Sequence, residues 1–86
     1  MSKTYTYHQD PGHGWIEVPM RELRDLGIAG RITSWSYREG ETAYLEEDND
    51  ASLFLDTMRA HDIAVELIRR HRDNSPIRHY HDYWAD

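Results

Sequence analysis

The chain contains no cysteine. That excludes disulfides, thiolate nucleophiles, Fe–S clusters and cysteine-ligated zinc in one step, and it gives no sign of an oxidising compartment. No apolar run approaches the ~20 residues that a membrane-crossing helix needs. The opening stretch MSKTYTYHQD lacks the apolar core of a secretory signal, so a cytoplasmic protein is expected. The five glycines are scattered and build no phosphate-cradling G-x-x-x-x-G-K-[ST] loop. Ser34, Ser36, Ser52 and Ser75 all lie outside a G-x-S-x-G context, which removes that signature of a serine nucleophile.

Positive charge is also scarce. Sixteen acidic residues face ten basic ones, for a formal charge of −6, and Lys3 is the only lysine. A uniformly basic face of the kind that binds nucleic-acid phosphates is therefore not expected. The distribution is uneven. Glu39, Glu41, Glu46, Glu47, Asp48 and Asp50 fall in a stretch with no base, whereas Arg69, Arg70, Arg72 and Arg78 are accompanied only by Asp73.

Eighty-six residues make one compact domain, 1–86, with 72–86 expected as a C-terminal extension docked on the body. KTYTYH alternates with period two and predicts a strand; DPGHG breaks it, and WIEV resumes as a second strand with Ile16 and Val18 on one face. PMRELRDLG predicts a short helix, with Pro19 in its first turn and Gly27 as its stop. RITSWSY and TAYLEE predict two strands joined by a turn at Gly40, with Trp35 and Phe54 inside. DNDASLFLDTMRAHD predicts the main helix, capped by Asp50 or Asn49. IAVELIRRH fits either a strand or a continuation of that helix, and its β-branched alternation favours the strand. Ser75 before Pro76 is placed to open a last helical turn. The expected fold is α+β in the order ββαββαβ, a mainly antiparallel sheet on two helices.

Three constellations carry chemical possibilities. His8, Asp10, His13, His79 and His81 would supply a metal or acid–base site if the two ends of the chain met. Histidines also cap, pair with carboxylates and line aromatic surfaces, so no metal or other cofactor is assigned. The acidic hairpin residues Glu39, Glu41, Glu46, Glu47 and Asp48, with Tyr37 and Tyr44, would suit binding to a basic protein surface. The same carboxylates also serve as a solvated edge and a helix N-terminus. Arg69, Arg70, Arg72 and Arg78, with Tyr80 and Trp84, would suit contact with nucleic acid, which the overall charge disfavours. An uncovered aromatic sheet face is compatible with a homodimer.

DPGHGWIEVP, YLEEDNDASLF and SPIRHY together resemble a group of short, uncharacterised proteins encoded on bacteriophages, prophages and plasmids. That resemblance implies the cytoplasm of a bacterial host. It also implies an accessory role, binding a host or phage protein, with inhibition of a CRISPR–Cas or other nucleic-acid-handling defence component as one form of it; the lack of a catalytic signature makes a non-enzymatic role the expectation. It supplies no catalytic residue.

Overall fold

A computed structural model describes residues 1–85. In chain order these form β1 (Ser2–Gln9), β2 (Gly14–Pro19), α1 (Met20–Asp25), a 3-10 turn at Ala29–Arg31, β3 (Tyr37–Glu39), β4 (Thr42–Glu46), α2 (Asp50–Ala60), β5 (Ala64–His71), a second 3-10 turn at Pro76–His79, and β6 (His81–Asp82). The strands make one sheet in the order β5-β1-β2-β4-β3-β6. Every pairing is antiparallel except β1 with β5, which runs parallel over eight residues from Ser2↔Ala64 to Gln9↔His71. The α+β class stands, and the segment 63–71 is the strand that its alternation favours.

Alternation divides the sheet into two working faces. Ile16, Val18, Ala43 and Leu45 point to the helices and meet Met20, Leu23, Phe54 and Met58, all of them buried. Tyr5 joins them with its ring edge-on to Phe54 at 5.1 Å. Helix burial on this face is the main stabilising term, about 2–3 kcal/mol for a side chain such as Phe54. Both helices end in the same way. Gly27 (φ 75°) and Asp62 (φ 58°) take the left-handed conformation after α1 and α2. Ile28 and Ile63 then donate back to Leu23 and Met58, so each helix closes with an apolar contact over its last turn.

Two expectations are corrected. RITSWSY is not a strand until Tyr37: Thr33 to Ser36 is a turn, and Trp35 lies 77% exposed rather than in the core. The cause is Asp50. Its carboxylate, 1% exposed, accepts from the Thr33 N–H, the Thr33 hydroxyl at 2.7 Å and the Ser36 hydroxyl at 2.5 Å, which folds the backbone back on itself. Asn49 does occupy the N-cap position of α2, as expected, but neither its side chain nor that of Asp50 makes the capping bond. The Glu46 carboxylate accepts from the N–H groups of Asp48, Asn49 and Asp50 instead.

The other face is crossed by the C-terminal segment. It leaves β5 with the Arg72 N–H on the Gln9 carbonyl, and Ser75 caps the turn at Pro76 by accepting from Ile77. The chain then lays Ile77, Arg78 and Tyr80 over the sheet and ends as β6 beside β3. The sheet therefore has six strands where five were expected. Tyr83 is buried past that edge, donating its hydroxyl to the Ala29 carbonyl at 2.6 Å. The Arg38 guanidinium stacks 4.2 Å from the Trp84 ring and donates to the Trp84 carbonyl.

Gly14, at the start of β2, admits no side chain: a Cβ there would overlap the Tyr7 ring and hydroxyl and press on the Glu47 carboxylate. Gly14→Ala should displace Tyr7 from Glu47 and destabilise the protein by about 1–3 kcal/mol, measured by urea unfolding.

Three tyrosines give an alkaline signature. Burial, reinforced by Glu22 at Tyr5 and by Glu47 at Tyr7, pushes both phenols up, and burial beside Glu17 pushes Tyr44 up to about 12. Their neutral forms stabilise the fold fully below the ordinary tyrosine value near 10, and that contribution is lost as pH rises toward 12. Absorbance at 295 nm should show these three ionising late, coincident with loss of near-ultraviolet circular dichroism.

Candidate functional site

The loop between β1 and β2, DPGHG, is organised by one carboxylate. Asp10 Oδ1 accepts from the N–H groups of Gly12 and His13 at 3.0 and 2.9 Å, a local turn built on an aspartate side chain. The same carboxylate takes both arms of Arg78, Nε on Oδ2 at 2.5 Å and Nη2 on Oδ1 at 2.9 Å, while the guanidinium faces the Trp15 ring at 5.8 Å. The Asp10 side chain is 1% exposed and that of Arg78 39%. Arg78 is the main reason that the Asp10 carboxyl stays far below the usual carboxylate range, overcoming the opposing effect of burial. The two N–H groups add to it. The ends of the chain thus do meet, and it is an arginine rather than a histidine that Asp10 receives.

The candidate metal residues do not converge. His8 bonds Glu17 at 2.7 Å, Asp10 is occupied by Arg78, and His13 packs on Trp15. His79 is exposed in the 3-10 turn and His81 lies in β6 against Trp84. Among the described residues no group of three or more His, Asp or Glu side chains is placed to hold a metal ion. His8 with Glu17 is a histidine oriented by a carboxylate, and it borders a cleft with Tyr44, Ile77 and Tyr80. That cleft holds only about 80 Å³, room for a few waters and not for an organic substrate.

The acidic hairpin does not present one face. Glu41 bonds Arg24 and Arg38, which hold its carboxyl below the usual range. Glu46 is consumed in capping α2, and Glu47 receives the Tyr7 hydroxyl at 2.9 Å. Glu39 and Asp48 stay exposed. Tyr37 and Tyr44 are half-buried rather than displayed: Tyr44 lies beneath Tyr80 at 5.1 Å and Tyr37 packs on Trp15. The arginines diverge as well. Arg69 stands over the Tyr7 ring on the helix face, Arg70 alternates to the opposite face, Arg72 borders the small cleft, and Arg78 is held by Asp10. Trp84 is tied to Arg38, away from all four.

Sequence reasoning missed the most exposed aromatic side chain. Trp35 projects from the turn that Asp50 ties down, its own N–H bonded to the Thr33 hydroxyl oxygen at 3.2 Å. It lies between two grooves. One, of about 190 Å³, is lined by His13, Trp15, Trp35, Tyr37, Glu46 and Arg78. The other, of about 300 Å³, is lined by His13, Trp35, Glu46, Asp48 and Asn49. The DPGHGW stretch therefore forms one wall of an aromatic, acid-rimmed surface whose crest is Trp35. The signal that would have found it is the spacing of Thr33 and Ser36 around a single indole, readable only once Asp50 is known to fold back onto them.

Asp10→Ala should cost about 2–4 kcal/mol at neutral pH, since it removes a buried carboxylate that holds both a half-exposed arginine and the turn. Asp10→Asn should cost less, because the amide oxygen still accepts from Gly12 and His13. A carboxyl depressed by folding stabilises above its unfolded value near 4 and loses that contribution as pH falls. The stability gap between the wild type and Asp10→Ala, measured by urea unfolding, should accordingly narrow below pH 4.

Among the described residues no helix is long and apolar enough to cross a membrane. Comparison with protein-family models, with curated proteins and with solved structures finds no match for this chain.

Proposed function

We propose that this protein is a non-enzymatic binding module that presents Trp35 and its acidic rim to a partner protein. The observation that carries this reading is an indole 77% exposed on a turn whose flanking residues are hydrogen-bonded to a buried carboxylate. Thr33 and Ser36, on either side of it, are both bonded to the buried Asp50 carboxylate. A large aromatic side chain carried on a backbone already ordered before binding loses less conformational entropy when it is buried than one on a mobile loop, and tryptophan is a frequent interface anchor.

The rim defines the chemistry of the partner. Asp48 and Glu46 line the grooves beside Trp35, and Glu47 adds a further carboxylate next to them in the chain. A complementary surface has an apolar pocket bordered by arginine or lysine, and charge matching of this kind speeds encounter more than it tightens the complex. Such surfaces are common on proteins that handle nucleic acids. The specific form of the proposal, which the resemblance to mobile-element proteins implies, is an accessory protein that occupies and inhibits such a host protein.

Affinity capture from a bacterial lysate, followed by titration with the purified partner, tests this. Trp35→Ala should weaken binding at least tenfold, about 1.4 kcal/mol, with the circular dichroism spectrum unchanged. Asp48→Lys should slow association and reduce its salt dependence while leaving the dissociation rate nearly untouched. Glu46 is unsuitable for this test because it caps α2. Undiminished affinity of Trp35→Ala would overturn the assignment of this surface.

A further inference from the structure

The two ends of the sheet are unequal. β6 offers only His81 and Asp82, whereas β5 closes the other end with eight residues and pairs on one side alone among the described residues. In the parallel ladder with β1, the N–H groups of Ala64 and Arg72 reach the carbonyls of Met1 and Gln9. Residues with even numbers thus direct their backbone groups at β1, and Val65, Leu67, Arg69 and His71 direct theirs outward. That outward edge is neither short nor bulged. It carries Ile68 at 57% and Leu67 at 38% exposure. Glu66 and Arg70 make no ion pair within the described residues, and four positions apart on an extended strand they stand too far from each other to form one.

We propose that this edge pairs antiparallel with β5 of a second copy of the chain, about a two-fold axis at Ile68, to give a continuous twelve-stranded sheet. The register follows from two independent requirements. The outward backbone groups must face each other, which pairs odd-numbered residues with odd-numbered ones, and the side chains must match, which among those registers sets Leu67 against Arg69 of the second copy and Val65 against His71. Each of these residues then donates one N–H and accepts at one C=O. In that register the positions between are Ile68 against Ile68 and Glu66 against Arg70, the latter occurring twice by symmetry. These are the pairs whose side chains approach most closely, about 4.5 Å between Cα atoms. The strand is therefore complementary to itself in hydrogen bonding, apolar contact and charge. Moving the axis to Arg69 would set two arginines face to face, and moving it to Leu67 would oppose Glu66 to Ile68. Opposite charges directly across a ladder stabilise it and like charges destabilise it, so the register at Ile68 is the one this edge selects. The surface lies at the far end of the sheet from β3 and does not depend on the role proposed for Trp35.

Sedimentation equilibrium of the full chain tests the proposal. The wild type should be a dimer at micromolar concentration. Glu66→Arg opposes two arginine pairs and Arg70→Glu two glutamate pairs, so each alone should raise the dissociation constant at least tenfold. An equimolar mixture of the two variants, and the double exchange Glu66→Arg with Arg70→Glu, should both restore the dimer. Because both side chains are exposed and unpaired among the described residues, the fold should persist in every variant, checked by circular dichroism. The absence of cysteine permits a second measurement of the register. Ile68→Cys should give a disulfide-linked dimer on mild oxidation, since a Cα separation near 4.5 Å suits the bond, and Arg69→Cys should not. A monomeric wild type at 100 μM would overturn the proposal, as would a dimer indifferent to both charge reversals, or cross-linking at Arg69→Cys in preference to Ile68→Cys.

Discussion

The paired arms of Arg78 on Asp10 hold the two ends of this chain together, and most of what is distinctive about the fold follows from that contact. A segment of fifteen residues that only touched a sheet face would contribute little, because its ordering entropy would match the area it covers. The ion pair changes the balance at one point: a carboxylate pre-oriented by two N–H groups receives a bidentate guanidinium over an indole. Once Arg78 is fixed, Ile77 and Tyr80 fall over His8 and Tyr44. β6 then reaches the β3 edge, and Tyr83 and Trp84 close over Ala29 and Arg38.

A second carboxylate arrangement sets the surface. At the start of α2, capping falls to Glu46, which reaches forward from β4 to three successive N–H groups. That frees Asp50 to turn inward, where it is satisfied by Thr33 and Ser36 rather than by its own helix. The exchange has a visible outcome. The segment before β3 cannot extend, and its tryptophan is pushed to the outside. Four of the six carboxylates in the acidic stretch, Glu41, Glu46, Glu47 and Asp50, are thereby used within the molecule. The charge left for a partner is smaller than the composition suggests, and it is concentrated near Asp48 and Glu39.

What was legible in the sequence was legible for local reasons. Period-two alternation gave β1, β2 and β5, Gly27 marked the end of α1, and Ser75 before Pro76 opened the last turn, because each signal acts within a few residues. Apart from the Glu46 cap, which serves N–H groups two to four residues away, the failures involve partners distant in the chain. RITSWSY has the composition of a strand but lies within reach of a carboxylate seventeen residues away. The histidines flanking Asp10 suggested a metal, whereas the residue that binds it stands 68 positions downstream among other arginines of equal promise. No local rule distinguishes Arg78 from Arg69 or Arg72. Only the path of the C-terminal segment across the sheet does so.

That same path explains why the sheet has one short edge and one long one. The C-terminal segment departs from β5 at Arg72 and runs over the face to β3, so among the described residues it supplies a neighbour to the far edge and none to the strand it leaves. Edge strands are commonly blunted by charge, and Arg69, Arg70 and Arg72 are such a device against unrelated strands. A glutamate four residues before Arg70 alters the meaning of that charge. Against a foreign strand the arginines repel or go unpaired. Against an antiparallel copy, Glu66 and Arg70 satisfy each other. An edge that is protected against partners in general and complementary to itself in one register is built for specificity, and it places the pairing surface at the opposite end of the sheet from Trp35 and the DPGHGW loop.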